Sequence, residues 1–196
     1  MKIVVLDAGH GGKFDGCKSL PPRSKTEKNL VMDITWFVAE ELLKTDILPV
    51  LTRTDDYHLN TVLERDLLSR AKTANRFKAD IFVSIHANST GKSSDNAMGF
   101  EVWHYPDSAK GLKLAKSIID SMAQTLPERR NRGVKPSSNP VEIVKAKTLL
   151  VLSKTNMPAV IVETGFLNNT EEDIWLHDNK QRIAMSIADG INNYYI

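Results

Sequence analysis

The chain of 196 residues has a single cysteine, Cys17, so it can form neither an internal disulfide nor a zinc site built from several thiolates. This excludes the disulfide-rich class of small secreted proteins. Any bound metal must therefore be held by histidine, aspartate or glutamate side chains. There are only five histidines, which keeps the list of candidate ligands short: His10, His58, His86, His104 and His177.

Long apolar runs and a large charge excess are also missing. No stretch approaches the roughly 18–20 apolar residues that cross a membrane. The apolar run near the start, Ile3–Leu6, is shorter than the core of about 7–15 residues that a signal peptide needs. The formal net charge is +2, from 26 Lys and Arg against 24 Asp and Glu. We therefore expect no nucleic-acid partner and no insertion into a membrane.

The sequence does contain short apolar runs that alternate with amphipathic stretches. Five runs rich in Val, Ile and Phe predict strands: Lys2–Asp7, Ile47–Thr52, Asp80–His86, Gly99–Trp103 and Pro158–Glu163. Apolar residues at helical spacing predict helices over 30–42, 63–74, 112–122 and 183–194. A capping box of Thr61 and Glu64 would begin the second helix. The alternation predicts a single α/β domain over residues 1–196 with a mostly parallel sheet.

Glycine, proline and polar residues cluster in three predicted loops: Gly9–Ser24, Asn88–Met98 and Leu126–Pro140. The third loop carries the densest basic cluster of the chain: Arg129, Arg130, Arg132 and Lys135. This cluster is either a solvated loop surface or an anion-facing patch beside a site. Residues 141–157 stay open, because Val141–Lys147 fits an extended segment whereas Thr148–Ser153 fits either a strand or a short helix.

Chemically versatile side chains follow three of the predicted strands. In an open α/β sheet, ligands bind beyond the carboxyl ends of the strands. The first predicted strand leads to His10, which lies among glycines that let a ligand or a metal come close. The third strand ends at His86 and the last at Glu163. Topology alone therefore brings two histidines and a glutamate to one edge of the sheet, and we interpret His10 and His86 as metal ligands.

Glu27 is the best third ligand, since catalytic zinc usually has three protein ligands and one open position. It extends the apolar, inward-facing stripe of the first helix, because it lies three, four and seven residues before Leu30, Val31 and Ile34. The same residue also fits a capping box with Ser24, in which its carboxylate would accept from the Ser24 amide. The spacing leaves both interpretations open.

Glu163 follows the apolar segment 158–162, so desolvation is expected to raise the pKa of its carboxyl group. A carboxylate with a raised pKa suits a general base that works near neutral pH. The alternative is a structural glutamate that caps the following loop, Thr164–Asn169.

At these residues the sequence resembles the zinc-dependent N-acetylmuramoyl-L-alanine amidases. The matching segments run in order over nearly the whole chain: Val5–Gly12, Glu27–Leu30, Leu51–Asp55, Leu67–Arg70, Ala79–Asn88, Gly99–Val102, Asn131–Lys135 and Met157–Asn169. The resemblance implies a twisted sheet of about six strands with helices on both faces, and one catalytic zinc ion.

The resemblance also implies a role for each candidate at the strand ends. His10, Glu27 and His86 would hold the zinc, and Glu163 would be the catalytic carboxylate. The implied reaction hydrolyses the amide that joins the lactyl group of N-acetylmuramic acid to L-alanine in peptidoglycan. Zinc would polarise the carbonyl and activate water, while Glu163 would move a proton from the water to the leaving amine.

The candidate substrate-binding residues are Asn88, Arg132 and Lys135, the last two from a segment that borders the substrate groove in the family. The expected partners of Arg132 and Lys135 are carboxylates of the wall peptide. Two other functions remain: a zinc hydrolase that cleaves a different peptide or acyl amide, and a wall-binding module without activity. The presence of all four site residues argues against the second.

The resemblance also sets expectations about regulation and location. No insertion that could form a plugging helix lies between the Asp80 strand and the Glu163 strand, so we expect constitutive activity. The sequence ends at Ile196, directly after the last predicted helix, so we expect no wall-binding module within these residues. Either wall targeting is weak, or this is the catalytic part of a longer protein. We expect a monomer. Without a signal peptide, the enzyme would be made in the bacterial cytoplasm and released through a holin-type lesion or by lysis, as phage endolysins and sporulation autolysins are.

Overall fold

The computed structural model describes residues 1–92, 94–137 and 150–196 of the chain. These ranges contain six strands: β1 (Lys2–Ala8), β2 (Ile47–Leu51), β3 (Ile81–Asn88), β4 (Phe100–His104), β5 (Asn131–Pro136) and β6 (Ala159–Phe166). Six helices accompany them: α1 (Glu27–Leu42), α2 (Leu63–Arg76), α3 (Ala109–Thr125), α4 (Leu150–Lys154), α5 (Thr170–Asp178) and α6 (Lys180–Tyr194).

The strands form one sheet in the order β2-β1-β3-β6-β4-β5. The first four strands in this order are mutually parallel. β4 runs antiparallel to β6, and β5 runs parallel to β4. The predicted six-stranded, mostly parallel sheet is therefore confirmed, with β4 and β5 reversed relative to the rest.

Helices cover both faces of this sheet, because its central strands are apolar on both sides. In β1, for example, Val4 and Leu6 point into one core and Val5 points into the other. The first core lies under α1, α3 and α6, and the second lies under α2 and α4. The face of the sheet under α2 and α4 matters for function, because side chains of the candidate site lie on it.

The five strands that the apolar runs predict are confirmed as β1, β2, β3, β4 and β6. The predicted loop Leu126–Pro140 is wrong over part of its length, because it contains β5. This strand is last in the sheet order and its residues are half-buried or exposed, so it needs no apolar run and shows none. Of the open segment 141–157, the part up to residue 149 lies outside the described residues, and α4 follows it.

A side chain caps the start of α3, whereas the cap predicted for α2 is absent. α3 begins directly after Ser108, whose hydroxyl accepts a hydrogen bond from the Gly111 amide. The capping box of Thr61 and Glu64 is wrong, because α2 is preceded by Val62 and has no side-chain cap. No helix in the described part of the chain has the length and apolar character needed to span a bilayer.

Candidate metal centre and active site

Three predicted metal ligands come together at the carboxyl-end edge of the sheet. His10, Glu27 and His86 each offer one ligand atom, and these three atoms lie within 4.8 Å of one another. The Glu27 carboxylate lies between the two imidazoles, with Oε2 3.1 Å from His10 Nε2 and Oε1 3.0 Å from His86 Nδ1. The arrangement supplies two nitrogen donors and one carboxylate from three separate elements.

The topology explains this convergence. β1 and β3 are neighbouring parallel strands. His10 lies two residues after the end of β1 and His86 lies near the end of β3, so both reach the same edge of the sheet. Glu27 is the first residue of α1, which packs on these two strands. Its carboxylate also accepts hydrogen bonds from the amides of Cys17 and Ala87, and α1 has no side-chain cap. The capping role of Glu27 is therefore wrong, and its carboxylate belongs to the cluster.

Charge and burial act together on this cluster. Burial alone would raise the pKa of Glu27, but attraction to His10 and the hydrogen bonds from both imidazoles hold that pKa well below its ordinary value. Burial likewise opposes protonation of His86, yet the hydrogen bond to Glu27 and the charge of Glu27 raise the pKa of the imidazole. Glu27 is thus held as a carboxylate, which is the form that binds a cation.

Two glycines leave the space that the ligands occupy. A Cβ atom at Gly9 would lie 2.3 Å from the His86 ring. A Cβ atom at Gly16, where φ is +72°, would lie 2.4 Å from Glu27 Oε2. The donor set of two imidazole nitrogens and one carboxylate oxygen is one that zinc commonly takes in catalytic sites. The residues present therefore fit a zinc ion.

His10 has an unusual backbone conformation, with φ at +64°. For a residue with a Cβ atom this left-handed region costs roughly 1–2 kcal/mol. Such local strain persists where the surrounding structure determines the conformation, often at a functional site. Here two buried arginines, Arg53 and Arg70, donate to the carbonyl oxygens of the segment that leads to His10.

Glu163 lies in β6, directly beside the metal-ligand candidates. It pairs in register with His86 on one side and with Glu101 of β4 on the other. Paired residues on adjacent strands point to the same face, so the three side chains form a row on the α2 and α4 side of the sheet. Glu163 is 6% exposed. The structure therefore brings Glu163 to the predicted edge, while its raised pKa stays a prediction.

The carboxylate of Glu101 joins all three predicted substrate-binding residues. It accepts hydrogen bonds from Arg132 Nε at 2.8 Å, Lys135 Nζ at 2.7 Å and Asn88 Nδ2 at 2.9 Å. The Trp103 indole donates to it as well, at 3.1 Å. Sequence reasoning missed Glu101, although a signal was present: a carboxylate inside an apolar strand needs a partner.

An open recess adjoins the cluster and gives it access to solvent. Its volume is about 290 Å³, and it opens beside His10 and His86. Its other lining residues include the apolar side chains of Phe14, Leu63, Leu67 and Val151, beside the charged groups of Asp66 and Arg70. A ligand that reaches the three donor atoms therefore meets an apolar surface as well.

Two other residues from the sequence analysis have structural roles. Arg129, from the basic cluster, forms an ion pair with buried Glu172 and lies over the ring of Trp175. It does not share the Glu101 carboxylate with Arg132 and Lys135. The Cys17 thiol donates to the carbonyl oxygens of Ala87 and Asn88 in β3, and burial raises its pKa.

Comparison with known proteins gives a consistent result. A family model described as N-acetylmuramoyl-L-alanine amidase matches residues 4–193. The endolysin of Bacillus phage SPP1 is 32% identical over 97% of this chain and 66% of its own length. LytC of Bacillus subtilis, an N-acetylmuramoyl-L-alanine amidase, is 31% identical over 99% of this chain. The chain spans only 36% of LytC.

Among solved structures, the catalytic domain of CwlV, an N-acetylmuramoyl-L-alanine amidase from Bacillus (Paenibacillus) polymyxa var. colistinus, superimposes with a TM-score of 0.83. The two sequences are 33% identical, and the match covers 100% of this chain and 98% of the CwlV domain. The fold described above is therefore similar to that of a solved amidase domain over its whole length.

Proposed function

The chain belongs to the N-acetylmuramoyl-L-alanine amidase family, and from this premise we propose that it hydrolyses the amide between the lactyl group of N-acetylmuramic acid and L-alanine in bacterial peptidoglycan. One observation carries the proposal. The ligand atoms of His10, Glu27 and His86 lie within 4.8 Å of one another, and Glu163 pairs in register with His86. This arrangement combines a metal-binding set with an adjacent carboxylate, as metal-assisted amide hydrolysis needs.

Each of the four residues has a defined task in this proposal. One zinc ion per chain, held by His10, Glu27 and His86, would polarise the scissile carbonyl and lower the pKa of the attacking water. Glu163 accepts a proton from that water. It then donates the proton to the nitrogen of the L-alanine residue, which leaves as a free amine. Glu163 ends the cycle as the carboxylate with which it began.

Substrate binding is the task of the Glu101 cluster, which comprises Glu101, Asn88, Arg132 and Lys135. Arg132 and Lys135 share the buried carboxylate of Glu101, so these three side chains together have a formal charge of +1. The side chains of Arg132 and Lys135 are 25% and 27% exposed, so both can reach a ligand. We assign this charge to a carboxylate of the stem peptide, which a partly desolvated cation binds well.

We expect Lys135→Met to raise KM about tenfold for a soluble N-acetylmuramoyl peptide while kcat changes little. A hydrogen bond to a charged group is worth about 1.5–3 kcal/mol, and partial exposure of Lys135 reduces that value. Steady-state kinetics with peptides that have free or amidated carboxyl groups measure the effect. Lys116→Met, on the exposed side of α3, is the matched control. An equal rise in KM for both peptides would contradict the assignment.

Digestion of purified peptidoglycan tests the reaction itself. We expect new amino groups of L-alanine, measured by end-group labelling, with no increase in reducing sugar ends. New reducing ends would indicate a glycosidase instead. New amino groups of any other residue would indicate a hydrolase of a different amide. Either result would overturn the proposed bond specificity.

The proposed substrate lies in the cell wall, and the similarity to a phage endolysin and to LytC supports action there. We propose that the enzyme reaches the wall after release from the cytoplasm, through a membrane lesion or by lysis of the cell. We also propose that a monomer suffices for activity, since His10, Glu27, His86 and Glu163 all come from one chain.

A further inference from the structure

Arg53 is a fully buried cation that no acid balances directly. It follows β2, its exposed fraction is 1%, and within the described ranges no carboxylate oxygen lies within 4 Å of its guanidinium. Arginine stays protonated in proteins, and a buried charge is costly unless its donors are satisfied. The fold must therefore supply acceptors of another kind.

Every N–H group of the Arg53 guanidinium has an acceptor. Five contacts of 2.8–3.1 Å use its five donors, and the acceptors are four backbone carbonyls and one thioether: Ala8, Gly9, Lys28, Asp55 and Met32. Arginine is the side chain with enough donors, in a rigid planar fork, to hold so many acceptors at once. Among the described residues, Arg53 therefore holds backbone carbonyl groups in place and forms no ion pair with a carboxylate.

The positions of two of these carbonyls are informative. Gly9 directly precedes His10, and Lys28 directly follows Glu27. A single nitrogen, Arg53 Nη2, donates to both carbonyls, at 2.9 and 2.8 Å. One atom thus connects the loop that carries one ligand with the first turn of the helix that carries another.

Arg70, the second buried arginine near His10, makes a different set of contacts. It forms ion pairs with Asp7 and Asp66 and donates to the carbonyls of Ala8 and His10. These contacts join β1 and the His10 loop to α2, and none of them reaches α1. Other hydrogen bonds join the start of α1 to the later part of the loop, at Gly12, Asp15 and Cys17. Arg53 is the side chain that joins the two carbonyls next to the ligands, those of Gly9 and Lys28.

From these contacts we propose that Arg53 is a positioning residue for the metal centre, which holds His10 and Glu27 at the separation that a zinc ion requires. The inference rests on the proposed zinc site. Without the guanidinium, the carbonyls of Gly9 and Lys28 lose the atom that bonds both of them. The left-handed backbone at His10 is then joined to α1 less directly, through the contacts of Glu27 and Lys28 with residues 12–17. Zinc affinity then falls because binding must first restore the geometry of its ligands.

The test compares zinc binding and stability in purified proteins. Arg53→Met removes all five donors, and Arg53→Lys keeps the charge but not the fork. Ile118→Ala is the control, because Ile118 is fully buried in the packing of α3 against α6, remote from the His10 loop. The zinc Kd is measured by competition with a chromophoric chelator, the apo-protein Tm by circular dichroism, and the ligand geometry by the visible spectrum of the cobalt(II) form.

We expect the zinc Kd to rise about 10–100-fold in Arg53→Met and by less in Arg53→Lys, with an altered cobalt spectrum in both. Ile118→Ala should lower the Tm and leave the zinc Kd and the cobalt spectrum as in the unmodified chain. An unchanged zinc Kd and cobalt spectrum in the two Arg53 variants would overturn this inference but not the proposed zinc site. If Arg53→Met does not fold, Arg53→Lys decides by the same criteria. An unmodified chain that binds no zinc would overturn the proposed zinc site together with the inference.

Discussion

Replacing Glu163 by glutamine is expected to lower the rate of amide hydrolysis by about 10²–10⁴-fold, the usual contribution of a positioned acid–base group. Glutamine has nearly the shape of glutamate, but its amide cannot accept the proton of the attacking water. The substitution leaves the proposed ligands His10, Glu27 and His86 unchanged, so we expect it to bind the one zinc ion per chain that we propose for the unmodified protein. Initial rates on purified peptidoglycan, together with metal analysis of the same sample, measure both quantities.

The control for this variant is Glu171→Gln, the same chemical change at an exposed position in the first turn of α5. It should keep the full rate. A Glu163→Gln enzyme that retains more than about a tenth of the rate would show that another group moves the proton. Loss of zinc from this variant would instead indicate that Glu163 contributes to metal binding.

Removing the metal, or the residue at the centre of its ligand set, should have an effect of at least the same size. We expect a chelator to abolish wall hydrolysis and one equivalent of zinc to restore it. Glu27→Ala should abolish both activity and zinc binding, and added zinc should not rescue it. The substitution also leaves the buried amides of Cys17 and Ala87 without their acceptor, at a cost of about 1–3 kcal/mol each.

Glu40→Ala, at an exposed position further along α1, is the matched control for this second prediction. It should keep both zinc and activity. Wall hydrolysis that survives exhaustive chelation would overturn the metal-dependent mechanism. A Glu27→Ala protein that is less stable but binds zinc as tightly as the unmodified chain would show that Glu27 serves only the fold.

The sequence predicted much of the site because the site lies where parallel strands end. His10, His86 and Glu163 each follow or end an apolar run, and the rule that ligands bind at carboxyl ends was enough to bring them together. The role of Glu27 was harder to predict, because its spacing fits a helix cap and a metal ligand equally well. The contacts of its carboxylate with both imidazoles separate the two possibilities.

The parts that sequence reasoning missed are held by side-chain contacts between distant segments. β5 has a polar sequence with a glycine and a proline, so no periodic apolar pattern marks it as a strand. Glu101 and Arg53 lie in segments that match the family, but most of their partners are distant in the sequence. Arg132 and Lys135 lie 31 and 34 residues from Glu101, and the carbonyls of Ala8, Gly9 and Lys28 lie 25–45 residues from Arg53. Local spacing contains no information about such partners.

The reversed direction of β4 has a consequence for how this enzyme can diversify. Because β4 runs against β6, Glu101 lies near its beginning and still reaches the edge where the parallel strands end. The two cations that Glu101 holds belong to β5, the last strand in the sheet order, whereas the proposed metal ligands lie at the ends of central strands and at the start of α1. If the proposed roles hold, exchanging β5 between homologues is expected to change the preference for the wall peptide while leaving the proposed metal ligands in place.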